Sequence, residues 1–406
     1  MKKYFIIAVA AVAAMAACSK VEANLDNANA PGQKITFQAA NYATATKAGP
    51  VSVFNDFKKF QSRAFLHAEG VDLNADYSVK TDTYQEFFGA SGETISPYNS
   101  SNTIIANPTK ETTDVAYWAP SHEYYWPKST HSFVNFVGWY GTNGTNAVNP
   151  EIDYEYNGTT SKWTATMTWE WSATTVGAAG ANLLYADMAW RYNDNPSATY
   201  KLNGLASDYK GVPMLFHHAL AQINVKAYAK EATGYPTISA GSGNVTDDTA
   251  TWTIKLTNVK ITPINKAGTL VLTNADPGTN KTQVWSGDWS GSDTAGDLTA
   301  SDFTVQNVTK ATAEDVYAAT CVMPQTIGAS VVLSFDMDIT TAYAGSVSNK
   351  EIIPISIKLN DMGTTAWAKN TKYTYYLQIN PSQKTVRFDP AVEADWVEEA
   401  TTEQTI

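Results

Sequence analysis

The stretch KWTATMTWEW, residues 162–171, decides the kind of fold. Trp163, Ala165, Met167, Trp169 and Trp171 fall on one side of an extended chain, and Thr164, Thr166, Thr168 and Glu170 fall on the other. Successive side chains of a strand point to opposite faces, so this is an amphipathic strand; a helix would scatter its tryptophans around the circumference. The aromatic side is hidden from water only if a second layer covers it.

The same alternation recurs outward from this stretch. Trp252, Ile254 and Leu256 are set against Thr253, Lys255 and Thr257, and Val331, Leu333, Phe335, Met337 and Ile339 against Val332, Ser334, Asp336 and Asp338. Ile353, Ile355, Ile357 and Leu359 form another one-sided row, as do Tyr373, Tyr375, Leu377 and Ile379, and Val386 and Phe388 are flanked by Arg387 and Asp389. On the N-terminal side, strands are expected over 114–118, 132–140, 152–156 and 183–190, with Asn-Gly turns at Asn143 and Asn157. Aromatics make up 12% of the chain and charged residues only 17%, the composition of pleated, half-buried surfaces. Many short alternating strands that each need a facing layer predict an all-β chain of antiparallel sandwiches. Residues 51–113 read differently: Phe54, Phe57 and Phe60 recur every third position as in one short helix, and Gly, Ser, Pro and Asn punctuate a loop-rich remainder.

The N-terminus reads as an export signal over 1–17, with Lys2 and Lys3 ahead of an apolar run from Tyr4 to Ala14. That run is too short to span a bilayer core of about 30 Å. Met15, Ala16 and Ala17 then place small residues before Cys18, a lipobox-like layout in which Cys18 carries acyl chains such as palmitate. Each buried methylene contributes about 0.8 kcal/mol, so several chains anchor a water-soluble body on a membrane. Residues 18–33 lack periodicity and form a tether. Order is expected from Lys34, beginning with a short strand in which Ile35, Phe37 and Ala39 share a face. The 389 residues after the signal suggest two domains. A polar stretch over 193–211 places them at 34–205 and 206–406.

Chemistry is sparse. The chain carries 39 acidic and 28 basic residues, and loss of Lys2 and Lys3 takes the net charge from −11 to −13, which argues against nucleic acid as a partner. No nucleophile elbow, metalloprotease helix, phosphate loop or dinucleotide fingerprint occurs, and no catalytic residue, cofactor or metal is expected. His217 and His218 are adjacent in an expected strand and therefore point to opposite faces, one into the core and one to a sheet surface. Cys321 reads as a small buried hydrophobe. Asp288, Asp293 and Asp297 in a Gly- and Ser-rich loop read as solvated acids before they read as calcium ligands. Trp118, Tyr124, Tyr125 and Trp126 are the best candidates for an exposed aromatic platform, which would make the chain a glycan-binding surface lipoprotein.

Several segments, taken in order, resemble the fimbrillin-like family of lipoproteins that build donor-strand pili. They are Tyr124-Tyr125-Trp126-Pro127, Leu184-Tyr185-Ala186, Phe216-His217-His218-Ala219-Leu220-Ala221-Gln222, Met323-Pro324-Gln325, and Tyr373-Thr374-Tyr375 through Phe388, Pro390, Val392 and Trp396. The resemblance implies two tandem transthyretin-like β-sandwich domains and a cell outer membrane lipoprotein. It also implies a stalk or anchor role in a fimbrium, with adhesion to a host or bacterial surface receptor. In that family a trypsin-like cut after a basic residue frees the first strand, and a C-terminal strand of a neighbouring subunit fills its place. On this sequence the displaced strand is Ile35, Phe37 and Ala39, and the cut falls at Lys47, with Lys58, Lys59 and Arg63 farther on. The donor strand is Val386, Phe388 and Val392. The expected partners are other copies of the chain or related fimbrial subunits.

Overall fold

The computed structural model describes residues 34–41, 52–53, 59–66, 85–99, 101–104, 117–125, 134–141, 152–157, 162–170, 183–192, 211–229, 237–239, 242–244, 250–274, 282–283, 285–290, 295–305, 309–343, 346–380 and 384–395. The first strands are β1 (Phe37–Asn41), β2 (Ser52–Val53), β3 (Phe60–Leu66), β4 (Gln85–Tyr98), β5 (Tyr117–Pro120) and β6 (Val134–Gly141). Next come β7 (Ile152–Asn157), β8 (Lys162–Glu170), β9 (Leu183–Ala186), β10 (Met188–Tyr192), β11 (Val212–His218) and β12 (Ala221–Ala229). They are followed by β13 (Thr237–Ser239), β14 (Ser242–Asn244), β15 (Ala250–Asn265), β16 (Ala267–Asn274), β17 (Thr282–Gln283) and β18 (Trp285–Ser286). Short β19 (Trp289–Ser290), β20 (Ala295–Thr299) and β21 (Phe303–Thr304) lead to β22 (Glu314–Val322), β23 (Gln325–Thr326) and β24 (Val332–Tyr343). The last are β25 (Ser346–Lys358), β26 (Ala366–Trp367), β27 (Thr371–Asn380) and β28 (Thr385–Asp395). Two 3-10 turns, Lys310–Thr312 and Leu359–Met362, are the only helical segments among the described residues.

The chain is all-β, with sheets that are largely antiparallel, as its alternation predicts; β1–β11 and β12–β27 are parallel pairs. The first sheet runs β17-β10-β6-β3-β4-β5-β1-β11-β9, with β2 against β1, and β9 also pairs with β6. That last pairing, Trp139 opposite Tyr185 through Gly141 opposite Leu183, closes β6, β3, β4, β5, β1, β11 and β9 into a ring. Closure leaves these strands without a free edge. The ring's interior holds Ile35, Phe37, Phe60, Phe88, Ile95, Trp118, Phe136, Met214 and Phe216.

The outer side of the ring faces a second core. Phe65 on β3 packs on Trp163 of β8 with centroids 4.7 Å apart, and Trp139 on β6 packs on Tyr154 of β7 at 5.9 Å. This is where the decisive stretch sits: Trp163, Ala165, Met167 and Trp169 are all buried, and β8 lies between β7 and β16. The same core continues between two further sheets, β13-β14-β15-β24-β25 and β22-β12-β27-β28. Ile254, Leu256, Leu333, Phe335 and Met337 of the one share it with Ile223, Val225, Tyr375, Leu377 and Ile379 of the other. Within it, Trp367 Nε1 donates to the Tyr375 hydroxyl at 2.8 Å, which satisfies a buried indole.

The structure departs from the sequence reading at several points. Residues 51–113 contain β3 and the fourteen-residue β4, and Phe60 opens a strand instead of closing a helical turn; Phe54 and Phe57 lie outside the described residues. The alternation of β4 is interrupted by a bulge at Gly92, whose φ is +89° and where a Cβ would stand 2.8 Å from the Trp139 ring. β11 completes the ring, and β16 lies along β8 from Ala267 opposite Glu170 to Thr273 opposite Thr164.

Candidate functional site

The site is the seat of β1. This strand runs parallel to β11, from Phe37 opposite Val212 to Asn41 opposite Phe216, and meets β5 at Phe37 opposite Trp118. Its far end carries β2, with Ala40 opposite Val53. Val212 N donates to Thr36 O at 2.8 Å, and Ile35 N donates to Tyr124 O at 2.8 Å. Only glycine fits at 211. Its φ is +107°, and a Cβ there would stand 2.8 Å from the Thr36 carbonyl oxygen.

Side chains also hold the strand. Ile35 and Phe37 are fully buried and Ala39 nearly so. The Phe37 ring meets Phe136 at 5.5 Å, Phe60 at 6.0 Å and Phe88 at 6.4 Å, each close to perpendicular. Edge-to-face pairs contribute about 0.5–1.5 kcal/mol each beyond burial, and burying a phenylalanine contributes about 1.5–3 kcal/mol. Phe60 continues the cage to Trp118 at 5.6 Å and Phe216 at 5.1 Å. β1 is therefore one stave of a closed wall, and its three inward residues plug the space behind it.

Polar contacts at the mouth are weaker. Lys34 Nζ lies 3.0 Å from Glu123 Oε1 and 5.7 Å from the Tyr98 ring centroid. Hydrogen bonds from Tyr125 and then Lys34 hold the Glu123 carboxyl below its usual range. Tyr124 donates to Glu93 at 2.7 Å, and burial, with Glu93 beside it, raises its phenol pKa. Exposed ion pairs of this sort contribute at most about 1 kcal/mol.

The structure brings Ile35, Phe37 and Ala39 together on the inner side of the ring. Val386 and Phe388 stand on β28 and pack, half-buried, against the other core, while Val392 is 50% exposed. Cys18 and Lys47 lie outside the described residues. Arg63 is not in a loop: it sits inside β3, opposite Val137 of β6, with its guanidinium 5.1 Å from the Phe65 ring. A protease must draw a bond out as an extended segment, and a strand paired on both sides withholds it. The aromatic platform is also broken up. Trp118 is 2% exposed and belongs to the ring interior, Tyr124 packs on Phe88 at 4.6 Å, and Trp126 lies outside the described residues.

Both adjacent histidines are buried, although their strand does point them to opposite faces. His217 Nε2 is 2.9 Å from the Asp187 carboxylate and stacks on Tyr185 at 5.3 Å; burial pushes His218 down to about 3. No sheet surface is available to either, because β11 is covered on both faces. Burial likewise pushes the Cys321 thiol up to about 12, which keeps thiolate scarce near neutrality. Asp288 pairs with Lys369 at 3.5 Å, and Asp297 accepts from Thr262 and lies 3.8 Å from Lys260; Asp293 is outside the described residues. Among the described residues no group of three or more His, Cys, Asp or Glu is placed to hold a metal ion.

Phe60, Phe88, Phe136 and Trp118, which form the cage, were not legible as a site. Trp118 and Phe136 fall in expected strands and Phe60 and Phe88 in the stretch read as helical or loop-rich; which distant strands enclose Phe37 is set by ring closure, and no local pattern encodes that.

Fold and site together define an all-β chain whose first described strand is a stave of a closed sheet, joined to the strands that follow through 42–51. No family model matches the sequence, and no curated protein matches it. Among solved structures the chain is similar to a fimbrial protein from Bacteroides vulgatus, at 16% identity and a TM-score of 0.46 over 90% of this chain and 100% of that one. It is also similar to two proteins provisionally named for cell adhesion. The one from Bacteroides uniformis has 13% identity and a TM-score of 0.40 over 90% and 98%, and the one from Bacteroides ovatus 12% and 0.41 over 91% and 99%. Chains superposing this loosely do not pass a function to one another, so the functional reading stands on β1 and its seat.

Proposed function

We propose that the chain is a structural subunit, stalk or anchor, of a cell-surface fimbria, tethered to the outer membrane through lipid on Cys18 until it is cut, and assembled by exchange of β1. The observation that carries this reading is the position of β1, the first described strand, as one stave of the closed ring between β5 and β11. A single cut at Lys47, between β1 and β2, severs the strand from everything that follows it. The strand's departure would leave β5 and β11 with unpaired backbone flanking an apolar slot, an arrangement that strongly favours a replacement strand.

The chain carries a matching insert. Ile35-Thr36-Phe37-Gln38-Ala39-Ala40 and Val386-Arg387-Phe388-Asp389-Pro390-Ala391 share a β-branched residue, a phenylalanine two places on, and small or compact residues after it. Phe388 would enter the cage of Phe60, Phe88 and Phe136, with Val386 in the place of Ile35. At about 25 cal/mol per Å² over several hundred Å², the inserted strand gains on the order of 10 kcal/mol before ordering costs. Adhesion to a surface receptor would be the work of the assembled fibre.

Limited trypsin digestion of soluble protein starting at Asn24 tests this reading. The expected result is one early cut at Lys47, found by mass, followed by ladders on gel filtration and denaturing gels. A chain that is cut there and stays monomeric under all growth conditions defeats strand exchange.

A further inference from the structure

β28 is held to its own sheet by less than its length suggests. Among the described residues it pairs with β27 on one side only, and its inward residues Val386 and Phe388 are half-buried, whereas Tyr373, Tyr375, Leu377 and Ile379 of β27 are at most 3% exposed. Its ladder breaks between Asp389 opposite Tyr376 and Val392 opposite Thr374, where Pro390 has no N–H to offer.

The 3-10 turn Lys310–Thr312 reaches the strand at this weak point. Lys310 Nζ lies 2.7 Å from the Asp389 carboxylate and 4.7 Å from the ring centroid of Tyr376 on β27. The residues just after the turn are stitched to β12: Lys226 Nζ donates to Ala313 O at 3.3 Å and lies 2.8 Å from Asp315. The turn thus ties β12, β27 and β28 together across one sheet. At the other end of β28, Lys384 pairs with Glu351 of β25 at 2.6 Å.

We propose that the Lys310 turn is a strap that fastens β28 to its own sheet at the break in the ladder, and that the strap's opening releases β28 ahead of the rest of the sheet. The strap itself does not depend on the donor role of β28; its consequence for fibre growth rests on that role. A subunit strapped in this way keeps its C-terminal strand folded back until a vacated seat competes for it.

Backbone hydrogen exchange on the intact soluble chain, read by mass over 385–395, decides the matter. Lys310→Met is expected to speed exchange in β28 about two- to fivefold, the scale of a part-exposed ion pair, while β24 and β15 stay unchanged. The double variant Lys310→Asp with Asp389→Lys is expected to restore slow exchange. Unchanged exchange in Lys310→Met, or a rise spread evenly over both sheets, overturns the strap. Fibre growth after trypsin supplies the second readout. Faster β28 exchange with no fibres from either protein keeps the strap and removes strand exchange, and equal fibre growth with unchanged exchange does the reverse.

Discussion

His218 shows how much a single position can depend on ring closure. Its backbone N–H is 3.3 Å from Asn370 Oδ1, its side chain is fully buried, and desolvation, with His217 beside it, pushes its pKa from 6.5 to about 3. The folded chain therefore keeps this imidazole neutral where the unfolded chain would protonate it. The corresponding stability is fully present above about pH 6.5 and is lost as the pH falls toward 3, with a slope of up to about 1.4 kcal/mol per pH unit. Urea unfolding of wild type and His218→Gln at pH 7, 6, 5 and 4 is the check: the variant is expected to lose less stability per unit of acidification. Parallel acid limbs in the two proteins would mean that another group carries the effect. The sequence showed that two adjacent histidines in a strand must diverge. It did not show that both faces of that strand are covered, because that follows from strands far apart in the chain.

At the scale of elements, legibility followed regularity. β8, β24, β25 and β27 were readable because one of their faces is covered and the other meets water, which writes a period of two into the residues. β6 and β9, buried on nearly every residue, lose that contrast but still overlap the strands expected over 132–140 and 183–190, whereas β4, interrupted by its Gly92 bulge, lies in the stretch read as loop-rich. β1 and β28 show a subtler difference, since their motifs are alike while their settings are not. Phe37 is fully enclosed by three rings, and Phe388 is half-buried on an edge strand. Truncating a buried phenylalanine costs about 3–5 kcal/mol through lost burial and the cavity left behind. Phe37→Ala in the uncut chain is expected to fall in that range by urea unfolding, and Phe388→Ala to cost about 1–2 kcal/mol. Equal costs would mean that β28 is as integral to its sheet as β1 is to the ring, and would count against its leaving. The comparison also favours point variants over removal of the strand, because deleting 385–406 would strip the outer neighbour from β27 and damage the subunit for reasons unrelated to assembly.

For the whole molecule the consequence lies in the asymmetry between a closed ring and an open sandwich edge. The ring has no edge while β1 is in place; on the proposed reading, a cut at Lys47 and loss of β1 would turn that closed wall into one with a vacancy for a strand. A free peptide spanning Thr385–Asp395 should then compete for that vacancy. Added to trypsin-treated chain, it is expected to bind and to slow fibre growth, and a Lys34–Asn41 peptide, which is β1 itself, should do the same. The phenylalanine decides the strength of the effect. Replacing Phe388 by Ala in the peptide removes about 1.5–3 kcal/mol of burial in the cage, so about 10- to 150-fold more peptide should be needed for the same inhibition. Titration of the peptides against fibre growth, with binding followed by quenching of Trp118 fluorescence in the seat, distinguishes the cases. If the Phe388→Ala peptide competes as well as the parent, the cage around Phe37 is not where β28 goes, and the likeness between the two motifs reflects only what each strand needs within its own sheet.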